Sequence, residues 1–341
     1  MLNVKRPAHS GLVPETIAWR QPTQYEVGIL QDYLCCDTKD SLQKRGDAQH
    51  KSLVGYYRSI SSDSAFIKVL PSVNSETLIN AEKISSWLYH SGLSINHSRA
   101  GFPKKIEGHD LWIFAYDYID YDFSSGSVDQ LYFIGKELGR MHRLLKEYPD
   151  RENVRVRGVK KNQFLLEQIK KVRMGAAGLN FPKSAIELIQ KTGESEYQML
   201  TLSAQMIHGD MNYGNVLFNK VNNQPVIIDF EDATASWLSP LYDLAFVIQR
   251  FVLLDKIKDR FELASALIKG YASQNKVVES KQPNALFIMI KMISIRSLLV
   301  LSSLPDEEQI MYSDEVEKFI DLYRQAQGDS ILISDIDALI N

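Results

Sequence analysis

The chain contains almost no cysteine. Its 341 residues include two, and these are the neighbours Cys35 and Cys36. Adjacent cysteines cannot tie distant segments together, so the sequence excludes a secreted fold held together by disulfides. We therefore expect a cytoplasmic protein whose stability comes from a packed core.

The chain also lacks a surplus of positive charge. It has 39 Lys and Arg against 42 Asp and Glu, which gives a formal net charge of −3. Proteins that bind nucleic acid neutralise phosphates with clustered cations. The charge balance therefore argues against nucleic acid as a partner.

Long apolar runs are missing as well. The first fifteen residues contain no apolar segment of the kind found in signal peptides, so we expect none. The most apolar stretch, Ala285 to Leu301, is interrupted by Lys291 and Arg296 and is short for a bilayer. We interpret it as a buried helix and expect no membrane partner.

The stretch richest in chemistry runs from Gln205 to Ala233 and reads QMIHGDMNYGNVLFNKVNNQPVIIDFEDA. Apolar runs flank the loop from Asp210 to Asn215, and a second apolar run ends at Asp229. This pattern predicts a β-hairpin with carboxylate or amide side chains at its rim.

Phosphoryl transfer from ATP needs such a set of side chains. One carboxylate deprotonates the attacking hydroxyl, while an amide oxygen and a second carboxylate hold Mg²⁺. Asp210 and Asn215 have the D-x-x-x-x-N spacing of the protein-kinase catalytic loop, and Asp229 begins a D-F-E in place of D-F-G. An ordinary hairpin with polar ends is the alternative, and the three combined matches disfavour it.

Three segments together carry a family resemblance. HGDMNYGNVLF, VIIDFEDA and SPLYDLAFVI resemble the aminoglycoside phosphotransferase and choline kinase superfamily, whose pattern is H-G-D-x-x-x-x-N, a strand ending in D-[FW], then D-L-A. The resemblance is strongest over residues 205–250 and is collinear from about residue 45 to 145. It covers the catalytic segment and much of the preceding chain.

The resemblance implies an α+β, bilobal protein-kinase-like fold. Its N-lobe is an antiparallel β-sheet plus a helix, and its larger C-lobe is mainly α-helical. We expect an N-terminal extension over residues 1–22, a nucleotide-binding N-lobe over 23–119, and a C-lobe with the catalytic loop and substrate pocket over 120–341.

In the N-lobe, the sequence predicts a helix over Tyr25–Leu34 and strands around Ser41–Gln43, Ser52–Arg58 and Ala65–Leu70. Lys44 to Asp47 read as a turn between the first two strands. The resemblance would lay this turn, with its single Gly46, over the triphosphate. A plain exposed turn is the alternative.

Lys68 lies in the middle of an apolar strand, where an ammonium group needs a partner. The resemblance implies that Lys68 contacts the α and β phosphates and pairs with a glutamate of the next helix. Glu82 is preferred to Glu76 for that pairing.

A buried strand over Leu111–Tyr116 leads into the segment that the resemblance identifies as the hinge. There the carbonyl of Asp117 and the amide of Ile119 are expected to bind adenine.

The resemblance also implies supporting roles. Asp243 of the D-L-A motif is expected to hold the backbone of the catalytic loop, and His208 to brace that loop. His142, at the end of a helix, is interpreted as structural. The basic run Asp150–Lys161 reads as a solvated connector, with contact to phosphate or substrate as the alternative.

The predicted function is an ATP- and Mg²⁺-dependent phosphotransferase that moves the γ-phosphate to a hydroxyl of a small polar molecule. Aminoglycosides, amino alcohols such as choline, sugars and hydroxy amino acids are the candidate acceptors. Glu231 and Asp232 would favour a cationic acceptor, or they are structural or help to position the metal. The sequence leaves these open, together with the choice of ATP or GTP and the oligomeric state.

Three other functions compete with this prediction. One is a helical binding protein that is not a kinase, in which the motifs are accidents; it predicts no thermal shift with Mg·ATP. A protein Ser/Thr kinase needs an activation segment and an A-P-E motif, and too few residues separate Asp229 from Tyr242 to contain them. A nucleotide-binding regulator without turnover is disfavoured because Lys68, Asp210, Asn215 and Asp229 are all present.

Overall fold

A computed structural model describes residues 19–34, 41–46, 52–59, 64–175, 181–253, 259–276 and 284–340. The chain forms two compact units. The sheet unit comprises the chain up to Asp122 together with Phe218–Glu231, and the helical unit comprises Phe123–Leu217 and the chain from Asp232 onward. The predicted domain boundaries do not include Phe218–Glu231 as part of the first unit, and residues 1–18 of the predicted extension lie outside the described residues.

The sheet unit contains a six-stranded antiparallel sheet in the order β1-β2-β3-β4-β6-β5. Helix α2 follows β4 and contains Glu76 and Glu82, the two glutamates expected on the helix after the Lys68 strand. The elements are β1 (Trp19–Arg20), α1 (Gln24–Leu34), β2 (Leu42–Arg45), β3 (Gly55–Ser59), β4 (Ala65–Pro71), α2 (Ser75–His90), β5 (Lys104–Ile106) and β6 (Leu111–Asp117).

Strand β4 shows why Lys68 points away from the core of the sheet unit. Successive side chains of a strand point to opposite faces. Ala65, Ile67 and Val69 are buried in an apolar cluster that includes Leu30 of α1. Lys68, between two of them, therefore lies on the opposite face.

The predicted turn at Lys44 is wrong, because β2 continues through Lys44 and Arg45. The Lys44 side chain is 0% exposed and that of Glu26 in α1 is 1% exposed, and their charged atoms are 2.6 Å apart. The ammonium also donates to the backbone carbonyl of Ser52. Buried partners, which no local pattern reveals, thus keep Lys44 in the strand.

Glu26 is held on several sides. Its Oε2 accepts hydrogen bonds from the backbone N and the Oγ1 of Thr23, which precedes α1. The Tyr57 hydroxyl donates to Oε1 at 3.4 Å. Burial alone would raise the pKa of Glu26, but the hydrogen bonds and charge of Lys44 and the Thr23 amide outweigh it and lower that pKa.

The helical unit consists mainly of helices, as predicted for the C-lobe. They are α3 (Val128–Leu145), α4 (Arg151–Arg173), α5 (Lys183–Lys191), α6 (Glu194–Met199), α7 (Leu241–Val247), α8 (Arg260–Ala272), α9 (Ala285–Ser302), α10 (Asp306–Met311), α11 (Ser313–Gly328) and α12 (Ser330–Asp337). Helices α3 and α8 approach closely: a Cβ on Gly135 would lie 2.0 Å from the Leu267 carbonyl oxygen, and one on Gly270 2.1 Å from that of Tyr132.

Short strands flank the catalytic segment. They are β7 (Tyr121–Phe123), β8 (Gln205–Met206), β9 (Val216–Asn219), β10 (Pro225–Ile227) and β11 (Trp237–Leu238). β9 and β10 are the arms of the predicted hairpin and belong to a sheet in the order β10-β9-β7, while β8 pairs with β11.

The basic run Asp150–Lys161 was predicted to be a connector, and this is wrong: it forms the first half of α4. Val154, Leu165, Ile169 and Val172 are buried along one face of the helix, at spacings of eleven, four and three residues, which are close to whole numbers of helical turns. The apolar face continues past the charged run, which is why the segment is helical.

Helix α9 corresponds to the apolar stretch Ala285–Leu301. By length and composition it is the one helix among the described residues that could cross a membrane, with a mean hydropathy of 1.9. Of this window, 67% is buried inside the fold, as in the core helix of a globular unit. This burial agrees with the predicted buried helix.

We expect Lys44→Met to lower the free energy of unfolding by about 3–5 kcal/mol, because it leaves a buried carboxylate without its partner. Urea denaturation at neutral pH measures the change. The double variant Glu26→Met with Lys44→Met should recover most of the loss. Lys83→Met on the exposed face of α2 is the matched control, and a single Lys44 variant as stable as this control would contradict the account.

Candidate active site

The catalytic loop in the helical unit begins directly after β8. Gly209 has φ +84°, and a Cβ at this position would lie 2.1 Å from Ser236 Oγ. The positive φ and the lack of space for a Cβ therefore both require glycine directly before Asp210. His208 is fully buried, and its Nδ1 accepts a hydrogen bond from the Asp210 amide at 3.3 Å.

Asp243, in the first turn of α7, holds the backbone of this loop. Its carboxylate accepts hydrogen bonds from the His208 amide at 2.8 Å and the Gly209 amide at 2.9 Å. His142 Nε2 lies 3.0 Å from Asp243 Oδ2, and His142 Nδ1 lies 2.9 Å from the Tyr271 hydroxyl. The carboxylate thus joins three elements, α3, α7 and the loop, in a fully buried position.

The carboxylate of Asp210 is oriented by two amides. Asn212 Nδ2 donates to Asp210 Oδ2 at 2.8 Å, and Asn215 Nδ2 donates to the same oxygen at 3.1 Å and to the Asp210 carbonyl at 2.9 Å. The motif does not distinguish Asn212 from its neighbours, so sequence reasoning missed this residue. Its Oδ1 also accepts the Gly214 amide at 2.7 Å, which closes the turn.

These hydrogen bonds also identify the donor end of the Asn215 amide. Because its amide nitrogen is bound to Asp210, its oxygen is the atom left for a metal ion. The described residues contain no group of three or more His, Cys, Asp or Glu arranged to hold a metal. One amide oxygen with one or two carboxylates still fits Mg²⁺, which keeps several waters and binds phosphate oxygens.

In the sheet unit, Lys68 and Asp229 lie close together. The ammonium of Lys68 is 3.9 Å from Asp229 Oδ1 and 3.7 Å from Glu231 Oε1. Asp229 itself has φ +69°, an uncommon conformation for a residue other than glycine. Burial alone would lower the pKa of Lys68, but the carboxylates of Asp229 and Glu231 outweigh it and raise that pKa, so the lysine is charged.

The expected ion pair between Lys68 and Glu82 is not formed. Glu82 Oε1 accepts a hydrogen bond from the Tyr116 hydroxyl at 2.5 Å, and its Oε2 accepts one from the Ser98 amide at 3.0 Å. The Lys68 ammonium lies 5.9 Å from the centroid of the Tyr116 ring. Tyr116 thus contacts both residues, and Lys68 takes its carboxylate partners from the segment after β10 instead.

The predicted hinge residues follow β6. The Asp117 carbonyl accepts a hydrogen bond from Asn96 Nδ2 at 3.3 Å, and the Asp117 carboxylate pairs with Arg99 Nε at 2.7 Å. The amide of Ile119 makes no hydrogen bond with any residue that the structure describes. Gly46 is exposed directly after β2, and Asp47, the last residue of the predicted turn, lies outside the described residues.

The chain has the fold of several kinases of known structure. A spectinomycin phosphotransferase in complex with ADP and spectinomycin has a TM-score of 0.58 at 14% identity, covering 92% of this chain and 99% of that one. An amicoumacin kinase in complex with AMP-PNP and Ca²⁺ has a TM-score of 0.51 at 15% identity, covering 83% and 88%. A microcompartment-associated aminopropanol kinase has a TM-score of 0.50 at 13% identity, covering 90% and 98%. The predicted α+β kinase-like fold is therefore confirmed.

The family follows from a second comparison. Residues 105–273 match a family described as the phosphotransferase enzyme family, a segment that holds Asp210, Asn215 and Asp229. No curated protein matches the chain. The chain belongs to the aminoglycoside phosphotransferase and choline kinase superfamily that its motifs resemble, and it is a phosphotransferase.

We expect Gly209→Ala to lower the free energy of unfolding by about 1–3 kcal/mol, because a methyl group there overlaps Ser236 and strains the backbone. Thermal unfolding measures the loss. Gly28→Ala in α1 is the matched control, since no atom lies within 4 Å of its added methyl group, and it should be neutral or stabilising. Equal effects of the two substitutions would contradict the geometry.

Proposed function

We propose that this protein transfers the γ-phosphate of ATP, with Mg²⁺, to a hydroxyl of a small polar molecule. The observation that carries the proposal is the carboxylate of Asp210. It is oriented by the amides of Asn212 and Asn215, on a backbone that Asp243 holds in place. A carboxylate held in this way is suited to receive a proton from an attacking hydroxyl.

Asp210 acts as the base and orienting group for the acceptor. As the oxygen of the acceptor approaches the γ-phosphorus, its proton passes to the Asp210 carboxylate. Two amide hydrogen bonds to one carboxylate oxygen fix the group before substrate arrives, so little reorganisation is needed during the reaction.

Asn215 and Asp229 would hold the metal ion. When bound, Mg²⁺ supplies positive charge against the phosphate oxygens. The amide nitrogen of Asn215 is bound to Asp210, which leaves the amide oxygen for the metal. Both side chains offer the hard oxygen ligands that Mg²⁺ prefers.

Lys68 would bind the α and β phosphates. In the sheet unit its charge is balanced by Asp229 and Glu231. With Asp229 engaged on the metal, the ammonium is available to phosphate oxygens while Glu231 keeps it in position. Tyr116 and Glu82 support the same face of the sheet.

The nucleotide assignment has support from the comparisons. Kinases that share the fold are described in complexes with ADP or AMP-PNP. In this chain, the Ile119 amide has no partner among the described residues and is the proposed donor to adenine. The Asp117 carbonyl, which already accepts from Asn96, is the proposed acceptor, because a carbonyl oxygen has two lone pairs.

We expect Asp210→Asn to reduce kcat by about 10²–10⁴-fold, because the variant keeps the shape of the side chain and loses the base. ADP release in the presence of small hydroxyl compounds measures turnover, and the KM for ATP should change little. Asp335→Asn, an exposed residue of α12, is the matched control. Undiminished kcat in the Asp210 variant would contradict the proposed role.

A further inference from the structure

The acceptor class can be inferred from charges near the catalytic loop in the helical unit, on the basis of the proposed function. The sequence left open whether Glu231 and Asp232 attract a cationic acceptor. In the structure, Lys161 Nζ lies 3.0 Å from Asp232 Oδ1, and Lys68 lies 3.7 Å from Glu231. Both acids therefore already have a lysine partner.

Lys161, the partner of Asp232, lies near the catalytic loop. The Cβ of Asp232 is 3.5 Å from the place that a Cβ on Gly209 would occupy, and Gly209 directly precedes Asp210. The Lys161 ammonium, 28% exposed on its side chain, is thus a short distance from the backbone that carries the base. It has three donors and uses one on Asp232.

Arg157 lies one turn before Lys161 on the same face of α4. Its Nε donates to the Thr234 carbonyl at 2.8 Å, which orients the guanidinium along the segment that follows Asp232. Its two terminal nitrogens have no hydrogen-bond partner in the described part of the chain. Such a planar pair of donors matches the geometry of a carboxylate or phosphate.

A third cation, Arg296, lies near Asp232. Arg296 of α9 is 6% exposed and donates from Nη1 to Asn162 Oδ1 at 2.9 Å. Burial alone would raise the pKa of Asp232, but Lys161, Arg296 and His208 outweigh it and lower that pKa. Asp232 is therefore a carboxylate whose charge is balanced by neighbouring cations.

The surrounding segment has the same sign of charge. Residues 151–200, which form α4 to α6, contain ten Lys and Arg against five Asp and Glu, in a chain with a net charge of −3. One of those acids, Glu196, is paired with Lys291 at 3.0 Å. Beside Arg157 and Lys161 themselves, an ammonium group would be repelled and an anionic group attracted.

We propose that the acceptor is a small alcohol that also carries an anionic group, a carboxylate or a phosphate, which binds Arg157 and Lys161. In the reaction, the acceptor oxygen forms a bond to the γ-phosphorus while the bond from that phosphorus to the β-γ bridging oxygen breaks. The hydroxyl proton passes to Asp210, and ADP leaves. Arg157 and Lys161 are specificity-determining residues and take no part in this bond exchange.

Matched sets of acceptors test the class directly. In each set the same hydroxyl-bearing carbon chain ends in a carboxylate, a phosphate, a neutral hydroxyl or an ammonium. ADP release by the wild-type enzyme should show at least tenfold higher kcat/KM for the carboxylate or the phosphate series, and comparing these two series identifies the anionic group. Preference for ammonium or neutral acceptors would overturn the inference and leave the phosphotransferase activity standing.

Variants test the residues. Arg157→Gln and Lys161→Gln should each raise the KM for the anionic acceptor by about tenfold or more, with the KM for ATP unchanged. Lys160→Gln, an exposed neighbour with the same loss of charge, is the control and should behave as wild type. An unchanged acceptor KM in both variants, with wild-type melting temperatures, would overturn the assignment.

The same experiments distinguish an error in the proposed function from an error in the proposed acceptor class. If Mg·ATP causes no thermal shift and no acceptor is phosphorylated, the proposed function is wrong. If Mg·ATP binds and only non-acidic acceptors react, or none does, the proposed acceptor class is wrong.

Discussion

The buried carboxylate of Asp243 is the constraint on which the catalytic loop depends. It accepts the two backbone amides that precede Asp210, and His142 and Tyr271 extend the contact to α3 and α8. A loop with a left-handed glycine and a buried histidine would otherwise have several backbone conformations of similar energy. Because its amides are bound to one rigid helix terminus, Asp210 and Asn215 have fixed positions. The positions of the Asp210 and Asn215 side chains therefore depend on the hydrogen bonds from the His208 and Gly209 amides to Asp243.

The sheet unit fixes the other charged groups by a different means. Alternation along β4 places Ile67 in the core and Lys68 on the opposite face, so the position of the ammonium follows from burial of its neighbours. Tyr116 contacts Lys68 with its ring and Glu82 with its hydroxyl. Tyr116 thus lies in contact with both side chains, and Glu82 and Lys68 form no direct ion pair. The two carboxylates that balance the charge of Lys68, Asp229 and Glu231, come from the segment after β10.

The sequence predicted those features that are determined by residues close together in the chain or by a motif that is present in full. The spacing of Asp210 and Asn215, the apolar strand around Lys68 and the contact of Asp243 with the loop are of this kind, and the structure contains each of these arrangements. The features that it missed depend on partners far apart in the sequence. The sequence around Lys44 resembles a turn because nothing near it in the chain can balance its charge. Its partner, Glu26, lies in a preceding helix.

Two further misses have the same cause. Tyr116 and Glu82 are 34 positions apart, and Lys161 and Asp232 are 71 positions apart, so no local pattern links them. The second case changed the functional conclusion. Without the lysine, Asp232 reads as an attractant for cations; with it, the charge of Asp232 is balanced. Whether an acid can attract a cationic substrate therefore depends on whether it already has a cationic partner in the fold, and the sequence alone does not show this.

Calorimetric titration with ATP, with and without Mg²⁺, tests the central claim that this chain binds a magnesium nucleotide through Lys68 and Asp229. The account predicts saturable binding that requires Mg²⁺ and is weakened at least tenfold, about 1.4 kcal/mol, by Lys68→Met and by Asp229→Asn. Asparagine tolerates the left-handed backbone at residue 229, so the second variant should stay folded. Absence of saturable binding, or binding that neither substitution changes, would contradict the account.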